Sequence, residues 1–152
     1  MHAIRMAQQG DLDRLVAMRV LLWPESSHPD ESQQAQALLS TGMSGTLPAA
    51  ILVAQDDNGA LIGFVEVGLR SHADGCDTSH AVGFIEGWFV DSAHRGRGIG
   101  RALIRAAEEW SRAQRCVEMA SDALIDNQAS QRAHESLGFE IVDRCVHFRK
   151  AL

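Results

Sequence analysis

The segment from Phe84 to Trp110 constrains the fold more than any other part of the chain. It begins as an apolar run that ends at Val90, continues through a loop rich in glycine and arginine, and becomes a pattern of apolar residues at helical spacing. The first N–H groups of a helix have no partner within the helix and carry partial positive charge. A strand that enters a helix through such a loop therefore predicts a cradle for a pyrophosphate group.

Glycine and arginine alternate in this loop, as Arg95, Gly96, Arg97, Gly98, Gly100 and Arg101. Glycine lets the backbone turn its amides outward, and the arginines add positive charge at the same place. Two common phosphate-binding patterns do not fit, because one needs Gly-x-Gly-x-x-Gly and the other ends in Gly-Lys-Ser/Thr. An ordinary glycine-rich turn, or an arginine–glycine patch for nucleic acid, is the alternative interpretation.

The length of 152 residues predicts one domain, residues 1–152, with a core of its own. The 45% of hydrophobic and 22% of charged residues are typical of soluble globular proteins. No apolar run approaches the length of a membrane span and no signal-peptide pattern opens the chain, so we expect a cytoplasmic protein. The three cysteines, Cys76, Cys116 and Cys145, form no Cys-x-x-Cys pair, and we expect neither a metal site nor a disulfide framework.

Charge is distributed unevenly along the chain. The net charge is -6, yet six arginines lie between Arg95 and Arg115 against only Glu108 and Glu109. A positive cradle on an otherwise acidic protein suits an anionic cofactor and a cationic second substrate. The acidic total argues against nucleic acid as the main partner, because nucleic-acid-binding domains are usually basic.

Hydrophobic periodicity and turn residues predict ten elements in the order βααβββαβαβ, an α/β fold with a mixed central sheet flanked by helices. The predicted strands are residues 2–7, 49–54, 61–69, 81–90, 117–121 and 139–149, and the predicted helices are residues 11–22, 31–39, 98–114 and 126–136.

The run from Arg95 to Gly100 follows the pattern Arg/Gln-x-x-Gly-x-Gly/Ala directly after Val90-Asp91. It resembles the acetyl-coenzyme-A loop of the GCN5-related N-acetyltransferases, and the predicted order of elements matches that fold from end to end. The resemblance implies acetyl-coenzyme A as co-substrate. It assigns to the coenzyme the loop residues Arg95, Gly96, Arg97, Gly98, Ile99, Gly100 and Arg101, and Asn127 for the pantetheine arm. It also implies that the strand residues Trp88, Phe89 and Val90 supply backbone amides to the thioester carbonyl, where negative charge develops.

Further stretches look like one branch of this superfamily, the aminoglycoside 6'-N-acetyltransferases. They are Leu22-Trp23-Pro24, Gly75 to Ser79, Phe84 to Gly87, Glu118 to Asp122, and Ser130-Gln131 with His134 through Phe139. The resemblance implies direct acetyl transfer, within a ternary complex, to the 6'-amine of an aminoglycoside antibiotic, with resistance as the consequence. Relatives of this kind are often homodimers, and we expect the same here.

A polycationic amino sugar needs carboxylates in its cleft, and the attacking amine must lose a proton. Glu86 in the central strand and Asp122 after the next strand are the candidates for both roles. Each has a structural alternative, since Asp122 could cap a turn and Glu86 could have a charged partner. Trp23 could stack on a sugar or belong to the core. Glu135 is a further substrate candidate. Secondary candidates for contacts with ammonium groups are Glu25, Asp30, Glu31, Asp74 and Asp77, although most of these acids are expected to be solvated on the surface.

The residue that protonates the departing thiolate is left open by the sequence. The superfamily often has a tyrosine four residues before the glycine of Leu-Gly-Phe, where this chain has His134. The chain contains no tyrosine, and Phe148 stands where some relatives have one on the last strand. His134 could donate the proton, because histidine exchanges protons near neutral pH. Alternatively it packs in the core or against the coenzyme, and water protonates the thiolate.

Two other functions remain open at this stage. The acceptor could be another amine, such as a polyamine or a protein N-terminus. The chain could also be a catalytically silent module that binds acetyl-coenzyme A, an alternative that the missing tyrosine keeps open.

Overall fold

The computed structural model describes all residues from Met1 to Leu152. Its strands are β1 (His2–Met6), β2 (Met43–Ser44), β3 (Leu47–Asp56), β4 (Leu61–Arg70), β5 (Val82–Val90) and β6 (Met119–Ser121). Its helices are α1 (Leu12–Leu22), α2 (His28–Thr41), α3 (Ile99–Ala113) and α4 (Gln128–Glu135). The predicted α/β class is confirmed, and the middle of the chain from β3 to α3 follows the predicted order.

The sheet is mixed, with the strand order β1-β3-β4-β5-β6 and with β2 paired to β3. All neighbours are antiparallel except β5 and β6, which run parallel. Only Gly83, Phe84 and Ile85 of β5 have partners in β6, the last pair being Ile85 with Ser121. Beyond this pair β5 continues to Val90 without a neighbour on that edge, so the sheet opens into a cleft between the two parallel strands.

Alternation along β3 divides the core between the two faces of the sheet. Ala49, Ile51 and Val53 pack with α1 and α2 in one buried cluster, whereas Ala50, Leu52 and Ala54 pack with α3 in the other. This is the period of two that a strand buried on both faces requires. The helices thus cover both faces, and the cleft between β5 and β6 lies at the sheet edge beside α3 and α4.

The helix starts explain most differences from the predicted boundaries. The α2 helix begins at His28 instead of Glu31, because Ser27 accepts a hydrogen bond from the Asp30 N–H and Pro29 lies in the first turn. The α4 helix is capped by Asn127, whose Oδ1 accepts from the Ser130 N–H at 3.1 Å. None of the helices combines the length and apolar character that crossing a bilayer requires.

The predicted last strand, residues 139–149, is wrong for this structure. Residues 139–152 have no regular secondary structure, and Ile141, Val142, Val146 and Phe148 are exposed. The apolar pattern is present, but a strand also needs a neighbour that accepts its hydrogen bonds, and β6 is only three residues long. The order βααβββαβαβ therefore lacks its last strand and gains β2, which lies outside every predicted strand.

Candidate active site

The loop between β5 and α3 presents a run of unpaired amides. The first hydrogen bond of α3 joins Ala102 N–H to Gly98 O at 3.0 Å, and the N–H groups from Gly96 to Arg101 have no acceptor. Gly96 and Gly98 have φ of 74° and 80°, a left-handed conformation that favours glycine. Consecutive free amides beside a helix N-terminus have the geometry that suits a bound anion.

Positive charge surrounds these amides. Arg95 and Arg97 are exposed, and Arg95 folds back so that its Nε donates to the carbonyl oxygen of Val90 at 3.0 Å. The acid that precedes the loop, Asp91, forms an ion pair with Arg14 and so contributes little net negative charge. Arg101 is exposed and reaches toward Ser136 O at 3.5 Å, which leaves its charge available at the start of α3.

The indole of Trp88 lies directly beneath this loop. A Cβ atom added to Gly100 would lie 2.9 Å from the Trp88 ring, so the third glycine is needed for this contact. The indole Nε1 is buried without a hydrogen-bond partner. An unpaired buried donor costs free energy, and a bound molecule with an acceptor at this point would remove that cost. Phe89 and Ile99 are core residues, so only their backbone atoms can contribute to the cleft.

The cleft contains both predicted carboxylates at its closed end. Glu86 and Asp122 are the residues that follow the last β5–β6 pair, Ile85 with Ser121. The register between β4 and β5 shifts here, because Glu66 pairs with Gly87 and Val67 pairs with Ile85, which leaves Glu86 as the extra residue of a bulge. A bulge redirects a side chain out of the regular alternation. Asp122 is exposed and has no hydrogen-bond partner, in contrast to the capping role weighed for it.

Glu86 does have the charged partner that the sequence left open. Arg70 holds it with two hydrogen bonds, Nε to Oε1 at 2.9 Å and Nη2 to Oε2 at 2.8 Å. The Arg70 guanidinium in turn lies 3.4 Å from the centre of the Phe84 ring. The Glu86 side chain nevertheless remains one-third exposed and also lines the cavity described next.

A polar cavity of about 360 Å³ lies on the α1–α2 side of this carboxylate. Its walls contain one apolar side chain, Trp23, and otherwise charged and polar groups. The lining residues are Arg19, Trp23, Glu31, Gln34, Ser44, Glu66 and Glu86. Three glutamates against one arginine give the walls an excess of acidic groups, which suits a cationic ligand rich in hydroxyl and amino groups.

Two of these glutamates form a buried network with the arginine. Arg19 Nε donates to Glu31 Oε2 at 2.7 Å, and Arg19 Nη1 contacts Glu66 Oε2. Burial raises the pKa of Glu66, an effect that Arg19 opposes in part. The expectation that Glu31 is a solvated surface acid is wrong, since it is buried against Arg19. Glu66 was not among the predicted site residues. Its position inside the apolar run 61–69 was a signal, because a buried acid needs a charged or hydrogen-bonding partner.

Trp23 is fixed from three sides and still reaches the cavity. The Arg19 guanidinium lies 4.7 Å from its ring centre, and the Phe64 ring packs edge-on at 6.3 Å. Gly87 lies against the indole, where a Cβ atom would come within 2.7 Å of it. The two roles considered for Trp23 are therefore compatible, because one part of the ring packs in the core and another faces the cavity.

The remaining acidic candidates lie on the surface. Glu25, Asp30, Asp74, Asp77 and Glu135 are exposed, and Glu135 lines no part of the cavity. Asp30 accepts a hydrogen bond from Ser27, and Asp77 accepts two from Ser79, which lower the pKa of Asp77. These contacts give Asp30 and Asp77 local structural roles.

His134 is half-buried beside the cleft. Its Nε2 lies 2.8 Å from Ser121 Oγ, and its Nδ1 lies 2.7 Å from the Ser130 carbonyl oxygen. The ring meets Trp88 and Phe139 edge-on, at centroid distances of 5.4 and 5.3 Å. The structure thus brings His134 to Trp88 and Ser121, the residues that border the two sides of the cleft.

No group of three histidine, cysteine, aspartate or glutamate side chains is arranged to hold a metal ion. Among the thiols, burial raises the pKa of Cys76 and of Cys116, which keeps both protonated and poorly nucleophilic. The structure therefore offers carboxylates and an imidazole, but no activated cysteine, at the cleft.

Comparison with known proteins identifies relatives of the whole chain. A model described as the acetyltransferase (GNAT) family matches residues 15–139. Aminoglycoside N(6')-acetyltransferase type 1 of Klebsiella aerogenes is 37% identical over 151 residues, which cover 98% of this chain and 96% of that protein. The protein of the same name from Salmonella typhimurium is 37% identical, with 97% of each chain covered.

Solved structures show the same fold over the full length. AAC(6')-Iy in complex with the bisubstrate analogue CoA-S-monomethyl-acetylneamine superposes with a TM-score of 0.89, at 33% identity, and the match covers 100% of this chain and 99% of that one. The aminoglycoside 6'-N-acetyltransferase AAC(6')-Ih from Acinetobacter baumannii gives a TM-score of 0.87 at 30% identity, again with 100% and 99% covered.

Proposed function

Since the chain belongs to the acetyltransferase (GNAT) family, we propose that it transfers the acetyl group of acetyl-coenzyme A to the 6'-amine of aminoglycoside antibiotics. One observation carries this conclusion. The run of free amides from Gly96 to Arg101 follows the far end of the unpaired edge of β5, and Glu86, which borders the acidic cavity, lies where β5 and β6 part. The unpaired edge of β5 thus connects a site suited to an anionic donor with one suited to a cationic acceptor.

The loop residues hold the coenzyme. Its pyrophosphate accepts hydrogen bonds from the amides between Gly96 and Arg101, and the charges of Arg97 and Arg101 add to the helix N-terminus. The unpaired edge of β5 from Trp88 to Val90 offers backbone groups to the pantetheine arm, with Asn127 at the opposite side of the cleft. When bound, the coenzyme supplies an acetyl group as a thioester.

The acidic residues hold the acceptor and prepare its amine. Glu86 and Asp122 attract the ammonium groups, and Trp23 offers an aromatic face in the cavity. A carboxylate within reach of the attacking nitrogen, Asp122 or Glu86, takes its proton directly or through water. Asp122 is the more available, because Glu86 is already paired with Arg70. Glu135 borders the acceptor only if the bound antibiotic extends beyond the cavity.

The transfer is proposed to be direct, within a ternary complex. The positions of the cysteines support this, because Cys116 is buried and none of Cys76, Cys116 and Cys145 lines the acidic cavity. We further propose that residues 1–152 act as a single acetyltransferase domain, that the protein works in the cytoplasm, and that it confers aminoglycoside resistance.

A matched pair of antibiotics tests the proposed function. Neomycin and paromomycin differ at the 6'-position, which is an amine in the first and a hydroxyl in the second. We expect thiol release from acetyl-coenzyme A with neomycin and none with paromomycin, and mass spectrometry should locate the acetyl group on the 6'-nitrogen. Transfer to spermidine or a peptide N-terminus, but not to neomycin, would favour another amine acceptor. Coenzyme binding without thiol release would favour a silent module.

We also propose a homodimer in which a second copy covers the C-terminal tail, residues 139–152. The tail carries exposed apolar side chains, of which Phe148 is 93% exposed, and it has no partner strand in its own chain. Apolar residues at this density rarely stay in contact with water. A second copy provides both an apolar surface and strand edges for the same segment.

The oligomeric state tests this part of the proposal. Phe148→Asp should convert the dimer to a monomer in sedimentation velocity, because it places a charge in the covered surface. Leu21→Asp is the control, since Leu21 is also an exposed apolar residue but lies on α1, away from the tail. A wild-type protein that sediments as a monomer, or a Phe148→Asp variant that stays dimeric, would contradict the proposal.

A further inference from the structure

Both ring nitrogens of His134 are engaged, and their partners determine where the hydrogens lie. The Ser130 carbonyl oxygen, 2.7 Å from Nδ1, can only accept, so Nδ1 carries a hydrogen. In the neutral ring Nε2 therefore accepts the hydrogen of the Ser121 hydroxyl, at 2.8 Å. In the protonated ring Nε2 donates instead to Ser121 Oγ, and the hydroxyl hydrogen is free for another acceptor.

With the ring protonated, the serine hydroxyl is therefore the group of the pair that has a hydrogen left to donate to a third atom. Resting on the proposed acetyl transfer, we propose that Ser121 Oγ, supplied with a proton by His134, protonates the sulfur atom that leaves the acetyl group. His134 itself cannot face the sulfur with either nitrogen while it keeps these two contacts.

The position of Ser121 suits this role. It is the last residue of β6 in register with β5, opposite Ile85, at the point where the two strands part. The carboxylates of Glu86 and Asp122 follow at this same end. From Ile85 to Val90 the cleft extends along β5 for roughly 17 Å at about 3.3 Å per residue. An extended pantetheine arm covers such a length from the amides of the loop to the hydroxyl.

The imidazole is held rigidly by aromatic rings that also border the cleft. Trp88 lies 5.4 Å from the ring with an interplanar angle of 89°, and Phe139 lies at 5.3 Å and 76°. The same Trp88 contacts Gly100 of the coenzyme loop. One indole therefore joins the loop that binds the donor to the ring that supplies the proton, and it restrains both.

The proton balance of the step is complete. As the carbon–sulfur bond breaks, its electron pair goes to sulfur, the Ser121 O–H bond breaks and an S–H bond forms. At the same time Oγ takes the proton from His134 Nε2, so that no alkoxide forms and a neutral ring remains with its hydrogen on Nδ1. Solvent returns one proton to His134. The acceptor ammonium group loses two protons in forming the amide, so the whole reaction releases one.

Variants on either side of the ring separate this relay from a structural role. Ser121→Ala removes the relay hydroxyl, whereas Ser130→Ala removes a hydroxyl 3.3 Å from Nδ1 and keeps the carbonyl acceptor. General acid catalysis contributes about 10²–10⁴-fold, and water can replace part of it. We therefore expect Ser121→Ala to lower the single-turnover rate at least about 10-fold. Ser130→Ala should stay near the wild type, and Ser121→Thr should recover most of the rate.

The donor provides a second comparison. A selenium analogue of acetyl-coenzyme A releases a selenolate, which leaves without protonation because selenols are far more acidic than thiols. The defect of Ser121→Ala should therefore shrink to within about twofold with this donor, whereas a defect of folding or positioning would persist with both donors.

Nitrogen-15 chemical shifts of His134 in the free protein give a readout that does not depend on turnover. In the neutral ring we expect Nδ1 to carry the hydrogen and Nε2 to accept one. The chemical shift of Nε2 should change in Ser121→Ala and recover in Ser121→Thr. A hydrogen on Nε2 of the neutral ring, a wild-type rate in Ser121→Ala, or equal defects with both donors would overturn the relay alone. A wild-type protein that transfers no acetyl group would overturn the proposed function as well.

Discussion

Replacing Arg19 by methionine removes the cation that lies between two buried carboxylates. Its Nε contacts Glu31 Oε2 at 2.7 Å, and its Nη1 contacts Glu66 Oε2. The side chains of Arg19 and Glu31 are 2% and 4% exposed, so both charges are largely removed from bulk water. Methionine keeps the length and the apolar stem, which confines the change to charge and hydrogen bonding.

The expected cost follows from this burial. Removing one partner of a buried ion pair destabilises a protein by about 3–5 kcal/mol, because the other charge stays in a medium of low dielectric constant. Arg19 serves two carboxylates, but Glu66 can take up a proton, which limits the penalty. We therefore expect Arg19→Met to lose about 3–5 kcal/mol of unfolding free energy at pH 7, a large part of a typical total of about 5–15 kcal/mol.

The pH dependence has a definite sign. Burial already raises the pKa of Glu66 above its ordinary value of 4.5, and Arg19 opposes this rise. Without Arg19 the pKa rises further. A carboxyl group whose pKa is raised by folding stabilises the protein below its ordinary pKa and loses that contribution as the pH rises through the folded value. The cost of Arg19→Met should therefore be largest at neutral pH and shrink as the pH falls toward 4.5.

Urea unfolding followed by circular dichroism at pH 7 and pH 5 measures both effects. Arg112→Met is the matched control, because Arg112 pairs with Glu108 at 3.3 Å on the surface of α3, where its side chain is 66% exposed. Such a pair contributes about 0.3–0.5 kcal/mol. A loss below 1 kcal/mol in Arg19→Met at pH 7, or a loss that grows as the pH falls, would refute the reasoning.

Four further predictions concern single residues. Gly100→Val should weaken coenzyme binding in calorimetry, because a side chain there meets the Trp88 indole at 2.9 Å; unchanged affinity would remove the loop from the site. Asp122→Asn should weaken antibiotic binding by about 1.5–3 kcal/mol with coenzyme affinity unchanged, and wild-type kinetics would exclude the residue. His134→Ala should slow single-turnover acetyl transfer more than it weakens acceptor binding. A wild-type rate in this variant would mean that His134 has a packing role only. Asp11→Asn should destabilise the protein by its full amount above the ordinary Asp11 pKa of 3.8, and by progressively less as the pH falls below it, because hydrogen bonding to Arg5 lowers the pKa of Asp11 and this stabilisation is lost on protonation; acid titrations of the free energy of unfolding that run parallel would contradict this.

The parts of the fold that the sequence predicts are those determined locally. The β5–loop–α3 segment is predictable because apolar run, glycines and helical spacing follow one another within residues 84–110. The cap at Asn127 is local in the same sense. The start of α2 at His28 was missed, although Ser27 and Pro29 carried the signal.

The predictions that failed concern contacts between residues that are far apart in the sequence. Arg19 and Glu66 are 47 residues apart, and only the packing of α1 against the sheet brings them together. The partner of Glu86 could not be named, because a bulge in the β4–β5 register decides that Arg70 reaches it. The C-terminal tail has the pattern of a strand, but pairing is a property of two segments, and one sequence pattern describes only one of them.

The positions of the tryptophans make the intrinsic fluorescence of this protein a reporter for both proposed substrate sites. The chain has three tryptophans and no tyrosine, so its ultraviolet emission comes from indole alone. Trp23 lines the acidic cavity, and Trp88 lies beneath the coenzyme loop. Replacing Trp110, which lies near the end of α3, would leave one emitter at each of the two proposed substrate positions. Stopped-flow mixing of such a variant would then report the order of substrate arrival without any label.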